Sequence, residues 1–156
     1  MNVLGGGTVS MSDATATVAT TILEMLVGLL ERGEIPPPLR RGPVRRSPTV
    51  DELLARMFPD ADLRRTHGAA MRADVLAATR RLLAARQVGR HLNQQDVDDW
   101  IMVTGVAQFL FVPRKRGAWP TRQRALQHWL NVVQYRLVVA ANPELAAEVS
   151  AWWDAQ

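Results

Sequence analysis

The stretch WIMVTGVAQFLFV, residues 100–112, decides the fold class of this chain. Apolar side chains occupy nearly every side of a helix drawn over it, so no long face of that helix could remain in water. Pro113 follows and would end the helix, while Asn93 is a good N-cap upstream of Asp96. The stretch therefore predicts a buried central helix that other elements must cover.

Amphipathic segments lie on both sides of this central helix in the sequence. Apolar residues recur at the spacing i, i+4, i+7, i+11, which places them on one face of a helix. The first stripe ends before Gly33, a typical helix stop. The three stripes consist of Val18, Ile22, Met25 and Leu29; of Met71, Val75, Ala78 and Leu82; and of Leu126, Leu130, Val133 and Leu137.

Capping residues place the remaining boundaries. Thr49 and Glu52 have the spacing of a capping box and predict a short helix that Pro59 closes. We expect the longer helix that carries the second stripe to begin after the segment 60–68. Asn142 followed by Pro143 predicts a last helix.

These signals predict an all-α protein, a helical bundle of about five to six helices. We find no alternating pattern that predicts a strand. A chain of 156 residues with 47% hydrophobic residues can bury one core, so we expect a single helical domain over 1–156.

Composition also bounds the class of protein. The chain contains no cysteine, which excludes disulfides, thiolate metal sites and cysteine nucleophiles. Its first residues, MNVLGGGTVSMSD, lack the basic region of a signal peptide, and the longest apolar run is too short to span a bilayer. We expect a soluble, cytoplasmic protein without a membrane partner.

No catalytic or metal-binding motif stands out. His67, His91 and His128 lie far apart and form none of the spacings of a zinc site. The carboxylates that begin at Asp96 are explained by the positive end of a helix dipole. The run Gly5–Gly7 lacks the context of a phosphate-binding loop. We therefore expect a protein that is not an enzyme and needs no metal or cofactor.

Arginine is unusually frequent for the net charge of +4, because 18 of the 19 basic residues are arginine and one is Lys115. The planar guanidinium suits the recognition of phosphates and carboxylates. Codon usage in a GC-rich genome would also enrich arginine together with alanine, glycine and valine. Both explanations stay open at the level of the sequence.

The densest basic segment, VPRKRGAWPTRQR, spans residues 112–124 and follows the central helix. Its cations would displace counterions from a phosphate backbone, and an exposed indole could stack on a base. A solvated connection between two helices is the alternative. The candidate nucleic-acid-binding residues of this segment are Arg114, Lys115, Arg116, Trp119, Arg122 and Arg124.

A second basic segment, the strap at 34–48, contains five of the nine prolines and cannot be helical. It is either a plain linker or an extended arm along nucleic acid. Its candidate binding residues are Arg40, Arg41, Arg45 and Arg46. Arg80 and Arg81 lie off the second apolar stripe and are further candidates.

A small, all-helical, cysteine-free, arginine-rich chain with basic patches and no catalytic motif resembles the small-subunit proteins of CRISPR effector complexes of the Cascade type. The similarity extends over the whole chain in size, helicity and charge, and the strap at 34–48 departs from the family pattern. The resemblance implies several copies inside a ribonucleoprotein, where they contact other subunits and steer a nucleic-acid strand along a basic face.

Three functions are therefore compared. The first is a non-catalytic subunit that binds the backbone of RNA or single-stranded DNA within a larger complex. The second is a structural or adaptor protein, such as a phage or virion component, whose basic loop contacts an acidic protein. The third, a free-standing DNA-binding regulator, is disfavoured because no polar recognition helix follows a short turn.

Overall fold

The computed structural model describes residues 2–4, 8–10, 13–36, 48–85, 92–110, 121–142 and 144, with side chains for 15–36, 48–85, 92–110, 125–142 and 144. Five helices lie within these residues, and the all-α fold class is confirmed. The helices are α1 (Asp13–Arg32), α2 (Val50–Met57), α3 (Ala61–Ala84), α4 (Gln94–Leu110) and α5 (Thr121–Ala141).

Helix α4 is the central helix that the sequence predicts. It packs against α1, α2, α3 and α5. Trp100 is only 1% exposed, and Val103 and Ala107 are fully buried. The apolar residues of this helix are therefore shielded from solvent on several sides of the helix. Burial of such side chains is the main favourable term in folding, at about 25 cal/mol per Å² of apolar surface.

Residues from all five helices meet in one hydrophobic cluster. Helix α1 contributes a broad apolar surface to it because its buried residues extend well beyond the predicted stripe. Leu23, Leu26 and Leu29 are all fully buried. Val18, the first residue of the predicted stripe, is instead 37% exposed, so the stripe is correct for three of its four positions.

The C-terminus of α1 ends in a left-handed turn. Gly33 has a φ of +76°, and its amide donates to the carbonyl of Leu29 at 2.9 Å. This bond is the pattern of an αL cap, and it confirms Gly33 as the stop. The chain then folds back, since Ile35 is fully buried and Pro36 lies against Gly28.

Two reciprocal caps fix the starts of α2 and α4. Thr49 accepts from the amide of Glu52 at 3.1 Å while Glu52 accepts from the amide of Thr49 at 3.0 Å, which confirms the predicted capping box. Asn93 and Asp96 exchange the same two bonds at 2.9 and 3.0 Å. Asp96 therefore acts through a specific hydrogen bond as well as through the helix dipole.

The predicted start of α3 was wrong. The helix begins at Ala61, because the Asp60 side chain accepts from the amides of Asp62 and Leu63 at 2.8 and 2.9 Å and so caps it. Gly68 lies inside the helix. It is buried there because the Leu54 side chain of α2 packs over it. Close packing between helices outweighs the weak helix propensity of glycine.

A short antiparallel pair of strands, which the sequence did not predict, precedes α1. Strand β1 (Asn2–Leu4) pairs with β2 (Thr8–Ser10), with Val3 opposite Val9, and β2 contacts α5. The central part of the predicted strap, residues 37–47, and the predicted last helix, apart from Asn142 and Glu144, lie outside the described residues. No helix among the described residues has the length and hydrophobicity needed to cross a membrane.

Alanine substitution at two buried glycines should change the free energy of unfolding in opposite directions. A Cβ at Gly28 would lie 2.9 Å from Cγ of Pro36 and closer still to its Cδ, so Gly28→Ala should lower the free energy of unfolding by about 1–3 kcal/mol. A Cβ at Gly68 meets Leu54 Cδ1 at an ordinary 3.4 Å, so Gly68→Ala should raise it by about 0.5–1 kcal/mol. Urea denaturation measures both, and a stabilising Gly28→Ala would contradict the packing of Pro36.

The cap of α3 should make stability depend on pH. The two backbone hydrogen bonds lower the pKa of Asp60 below its ordinary value of 3.8. A lowered folded-state pKa contributes stability above pH 3.8 that is lost as the pH falls through the folded value. Asn also caps helices well but does not titrate. The difference in melting temperature between wild type and Asp60→Asn should therefore shrink from about pH 6 to about pH 2.5, and a constant difference would refute the assignment.

Candidate functional site

The twelve candidate binding residues fall into three groups according to what the structure describes. Arg80 and Arg81 lie in α3 and have described side chains. Arg122 and Arg124 lie in the first turn of α5, where the structure describes the helix but not the side chains. The remaining eight candidates lie outside the described residues: Arg40, Arg41, Arg45, Arg46, Arg114, Lys115, Arg116 and Trp119.

Arg80 and Arg81 bind carboxylates on two different helices. Arg80 donates from Nε and Nη2 to Oε1 of Glu31 at 2.9 and 2.7 Å, which joins α3 to α1. Arg81 donates from Nε and Nη2 to the two oxygens of Asp99 at 2.8 and 2.7 Å, which joins α3 to α4. The adjacent arginines therefore bind carboxylates of different helices, and the structure does not bring them together around one ligand.

The carboxylate of the Arg81–Asp99 pair is less exposed than the carboxylate of the Arg80–Glu31 pair. The Asp99 side chain is 3% exposed and also accepts from Nε2 of Gln95 at 2.9 Å. The hydrogen bonds that Arg81 donates to Asp99 raise the pKa of Arg81 above its already high ordinary value. A carboxylate removed from water in this way needs its cation, because an unpaired buried charge is strongly unfavourable.

Three further arginines donate to carbonyl oxygens at the ends of other elements. Arg72 of α3 binds the carbonyl of Leu30 near the end of α1 through both Nε and Nη2, the Nε contact being 2.9 Å. The other two bonds run from Nη1 of Arg56 to Phe109 O at 2.6 Å and from Nη1 of Arg64 to Phe58 O at 2.9 Å. The last carbonyls of a helix lack partners within it and carry partial negative charge, so each guanidinium both caps and neutralises a helix end.

An open groove of about 500 Å³ lies between the end of α1 and the middle of α3. Its polar groups are already bonded to one another, since Arg72 binds the Leu30 carbonyl and Arg80 binds Glu31. A phosphate entering the groove would have to displace these partners. Nor do the residues that the structure describes contain a cluster of three or more His, Asp or Glu side chains that could hold a metal ion.

Charge is distributed unequally along the chain. We define the framework as residues 15–36, 48–85, 92–110, 125–142 and 144. It contains eight arginines and twelve carboxylates, a net charge of −4. The other residues contain eleven basic and three acidic side chains, a net charge of +8, and the two together give the total of +4. The excess positive charge therefore lies in segments 40–46, 86–90 and 114–124.

The structural role of Asp99 was missed from the sequence, where the helix dipole explained the whole acidic cluster. A signal was nevertheless present. Asp99 precedes Val103, Val106 and Leu110 at the same i, i+4, i+7, i+11 spacing as the predicted core stripes. A carboxylate on an apolar face requires a cationic partner from another element. The identity of that partner, Arg81, depends on tertiary packing.

No protein-family model, curated protein or solved structure matches this chain.

The two ion pairs of α3 should differ in coupling energy. One double-mutant cycle combines Arg81→Met with Asp99→Asn, and the other combines Arg80→Met with Glu31→Gln. We expect the first cycle to give the larger coupling energy, because the Asp99 side chain is 3% exposed whereas the Glu31 side chain is 27% exposed. Urea denaturation of the single and double variants measures both energies. Equal coupling in the two cycles would show that burial of Asp99 does not strengthen its pair.

Proposed function

We propose that this protein is a non-enzymatic subunit that binds the backbone of RNA or single-stranded DNA inside a larger ribonucleoprotein. The observation that carries the proposal is the division of charge between an acidic framework and basic segments outside it. The framework carries a net charge of −4 and the other residues carry +8, so the attraction between this chain and a polyanion comes from the basic segments. A polyanion would therefore contact the chain through the basic segments.

The partners of the framework arginines support this division. Each of the eight has an interaction within the chain, seven of them with an identified carboxylate or carbonyl. Structural use thus accounts for the framework arginines without any nucleic acid. The basic segments carry eleven cations, and the ranges 37–47, 86–91 and 111–124 contain no acidic residue. No carboxylate nearby in the sequence therefore neutralises these cations.

We assign the main phosphate-binding contact, called the grip below, to the segment 114–124. In the sequence, Arg114, Lys115 and Arg116 precede Trp119, and Arg122 and Arg124 follow it. Cations at this density neutralise phosphates without reading sequence. Arg40, Arg41, Arg45 and Arg46 of the strap form a second contact. Arg80 and Arg81 are 62% and 52% exposed, and their part in binding requires that a phosphate share them with Glu31 and Asp99.

The place of the protein in an effector complex rests on its resemblance to CRISPR small subunits. An acidic framework and basic segments on the same chain are also suited to stacking of copies, because the segments of one copy attract the framework of the next. In this arrangement a nucleic-acid strand would pass along the basic segments of successive subunits.

The salt dependence of binding tests the grip. The log of the affinity for a single strand falls with log salt by about 0.7 per neutralised phosphate, so Arg114→Gln with Arg116→Gln should reduce the slope by about 1.4. Arg32→Gln with Arg65→Gln removes the same charge from the framework, where both side chains are more than half exposed, and should leave the slope nearly unchanged. Fluorescence anisotropy with labelled single-stranded RNA and DNA measures all three proteins.

Equal slopes for the two double variants would contradict the assignment of the grip to this segment. Trp119→Ala separates two roles of the indole, since loss of stacking lowers affinity without changing the slope, whereas loss of a core contact lowers the melting temperature. A wild-type protein that binds neither RNA nor single-stranded DNA, alone or in its assembled complex, would favour the adaptor protein with an acidic partner.

A further inference from the structure

Helix α5 has two faces of different chemistry. Leu130, Val133 and Leu137 are buried and hold one face against the core. His128, Asn131 and Tyr135 are exposed, and each lies two residues before one of those buried residues. Two residues correspond to about 200° around a helix, so the exposed set lies on the side opposite the core. We call these three residues the outer face of α5.

Tyr135 gives the outer face its main feature. It is 54% exposed, more than any other large apolar side chain that the structure describes. Trp129, the other aromatic residue of this helix, packs instead against the core. An exposed phenol ring in a rigid helix offers a flat surface for stacking at a small cost in conformational entropy. Asn131 and His128 add hydrogen-bond donors and acceptors beside it.

The charge of α5 distinguishes it from the other four helices. Its sequence TRQRALQHWLNVVQYRLVVAA contains three arginines and no aspartate or glutamate, whereas α1, α2, α3 and α4 all contain carboxylates. Arg124 precedes His128 by four residues and so continues the same side of the helix backbone. Arg122 and Arg124 lie in the first turn of α5, so a polyanion bound there that continued along the helix would meet no carboxylate of this helix.

We propose that the outer face of α5 is a base-contacting site for single-stranded nucleic acid, with Tyr135 as its stacking platform. The proposal rests on the proposed function and adds to it the surface that receives the bases after the segment 114–124 has bound the phosphates. His128, Asn131 and Tyr135 are three and four residues apart, about 4.5 and 6 Å along the helix axis. That spacing allows adjacent side chains to meet successive nucleotides.

The chemistry of the face favours a single strand over other polyanionic or protein partners. A duplex hides its bases from an exposed tyrosine, whereas an unpaired base offers a free π-face. A protein interface requires a larger apolar centre, and Tyr135 is the one large apolar residue on this face. The absence of acidic side chains from α5 completes the match to a phosphate-bearing strand.

A fluorine label tests contact directly, because Tyr135 is the single tyrosine of the chain. Uniform incorporation of 3-fluorotyrosine therefore gives one ¹⁹F resonance. We expect that resonance to shift when an oligouridylate of about twelve nucleotides is added, a length within the usual range of single-strand sites. Inorganic polyphosphate, which has charge but no bases, should bind the basic segments and leave the resonance in place.

Affinity provides the second readout. Loss of one stacked base costs roughly 1–3 kcal/mol, so Tyr135→Ala should weaken binding of the same oligonucleotide by roughly 5- to 150-fold with an unchanged salt slope. Tyr135→Phe keeps the ring and should bind like the wild type. Leu63→Ala is the matched control, since Leu63 is 52% exposed on α3, and it should also bind like the wild type.

The outcomes separate this inference from the proposed function. If the oligonucleotide binds with full affinity to Tyr135→Ala and leaves the fluorine resonance unmoved, the outer face is not the site while backbone binding stands. A resonance that shifts equally with polyphosphate would show a charge effect rather than stacking and would also overturn the inference. Failure of the wild type to bind any single strand would overturn both proposals.

Discussion

The burial of α4 on several sides is the constraint on which the rest of this structure depends. A helix with so few polar faces must be covered, and α1, α2, α3 and α5 all pack against it. The buried side chains of Thr104 and Asp99 in this helix find partners inside the protein. Thr104 donates to the carbonyl of Trp100 at 2.7 Å, and Asp99 receives Arg81 and Gln95. The burial of α4 thus places Asp99 where it needs Arg81 as its partner.

Arginine serves as the connector among the helices of this framework. Arg81 and Arg80 join α3 to two neighbours through carboxylates, while Arg56, Arg64 and Arg72 bind carbonyls near helix ends. A planar guanidinium can make two parallel bonds and never loses its charge, which a lysine could not match. Arginine enrichment therefore has a structural explanation in the framework, and the basic segments outside it are the part that calls for a functional one.

Helix α5 relates this framework to the proposed binding function. One of its faces completes the core, and the opposite face presents an exposed tyrosine with amide and imidazole neighbours. Packing against α4 fixes the register of the helix, as the hydrogen bond from Nε2 of Gln108 to Oε1 of Gln134 and the close approach of Gly105 to Gln134 show. A helix held in this way presents its outer side chains in a defined order, which is the property a stacking platform needs.

The sequence by itself determined the fold class, the central helix, the capping box at Thr49 and the stop at Gly33. These features depend on local periodicity and on hydrogen bonds between residues close in the chain, so the order of residues suffices to predict them. It also located the basic segments. It placed the start of α3 after residue 68, whereas the helix begins at Ala61, where the Asp60 side chain caps it.

Only the tertiary structure decided which arginines are partners of which groups. Arg72 and Leu30 are 42 residues apart, and Arg56 and Phe109 are 53 apart, so no local pattern could join them. The separation of the candidates Arg80 and Arg81 toward different helices has the same origin. A charged side chain near an apolar stripe can face either solvent or a neighbouring helix. Which of the two it faces depends on the packing of elements distant in sequence, and that packing is settled by the shared core.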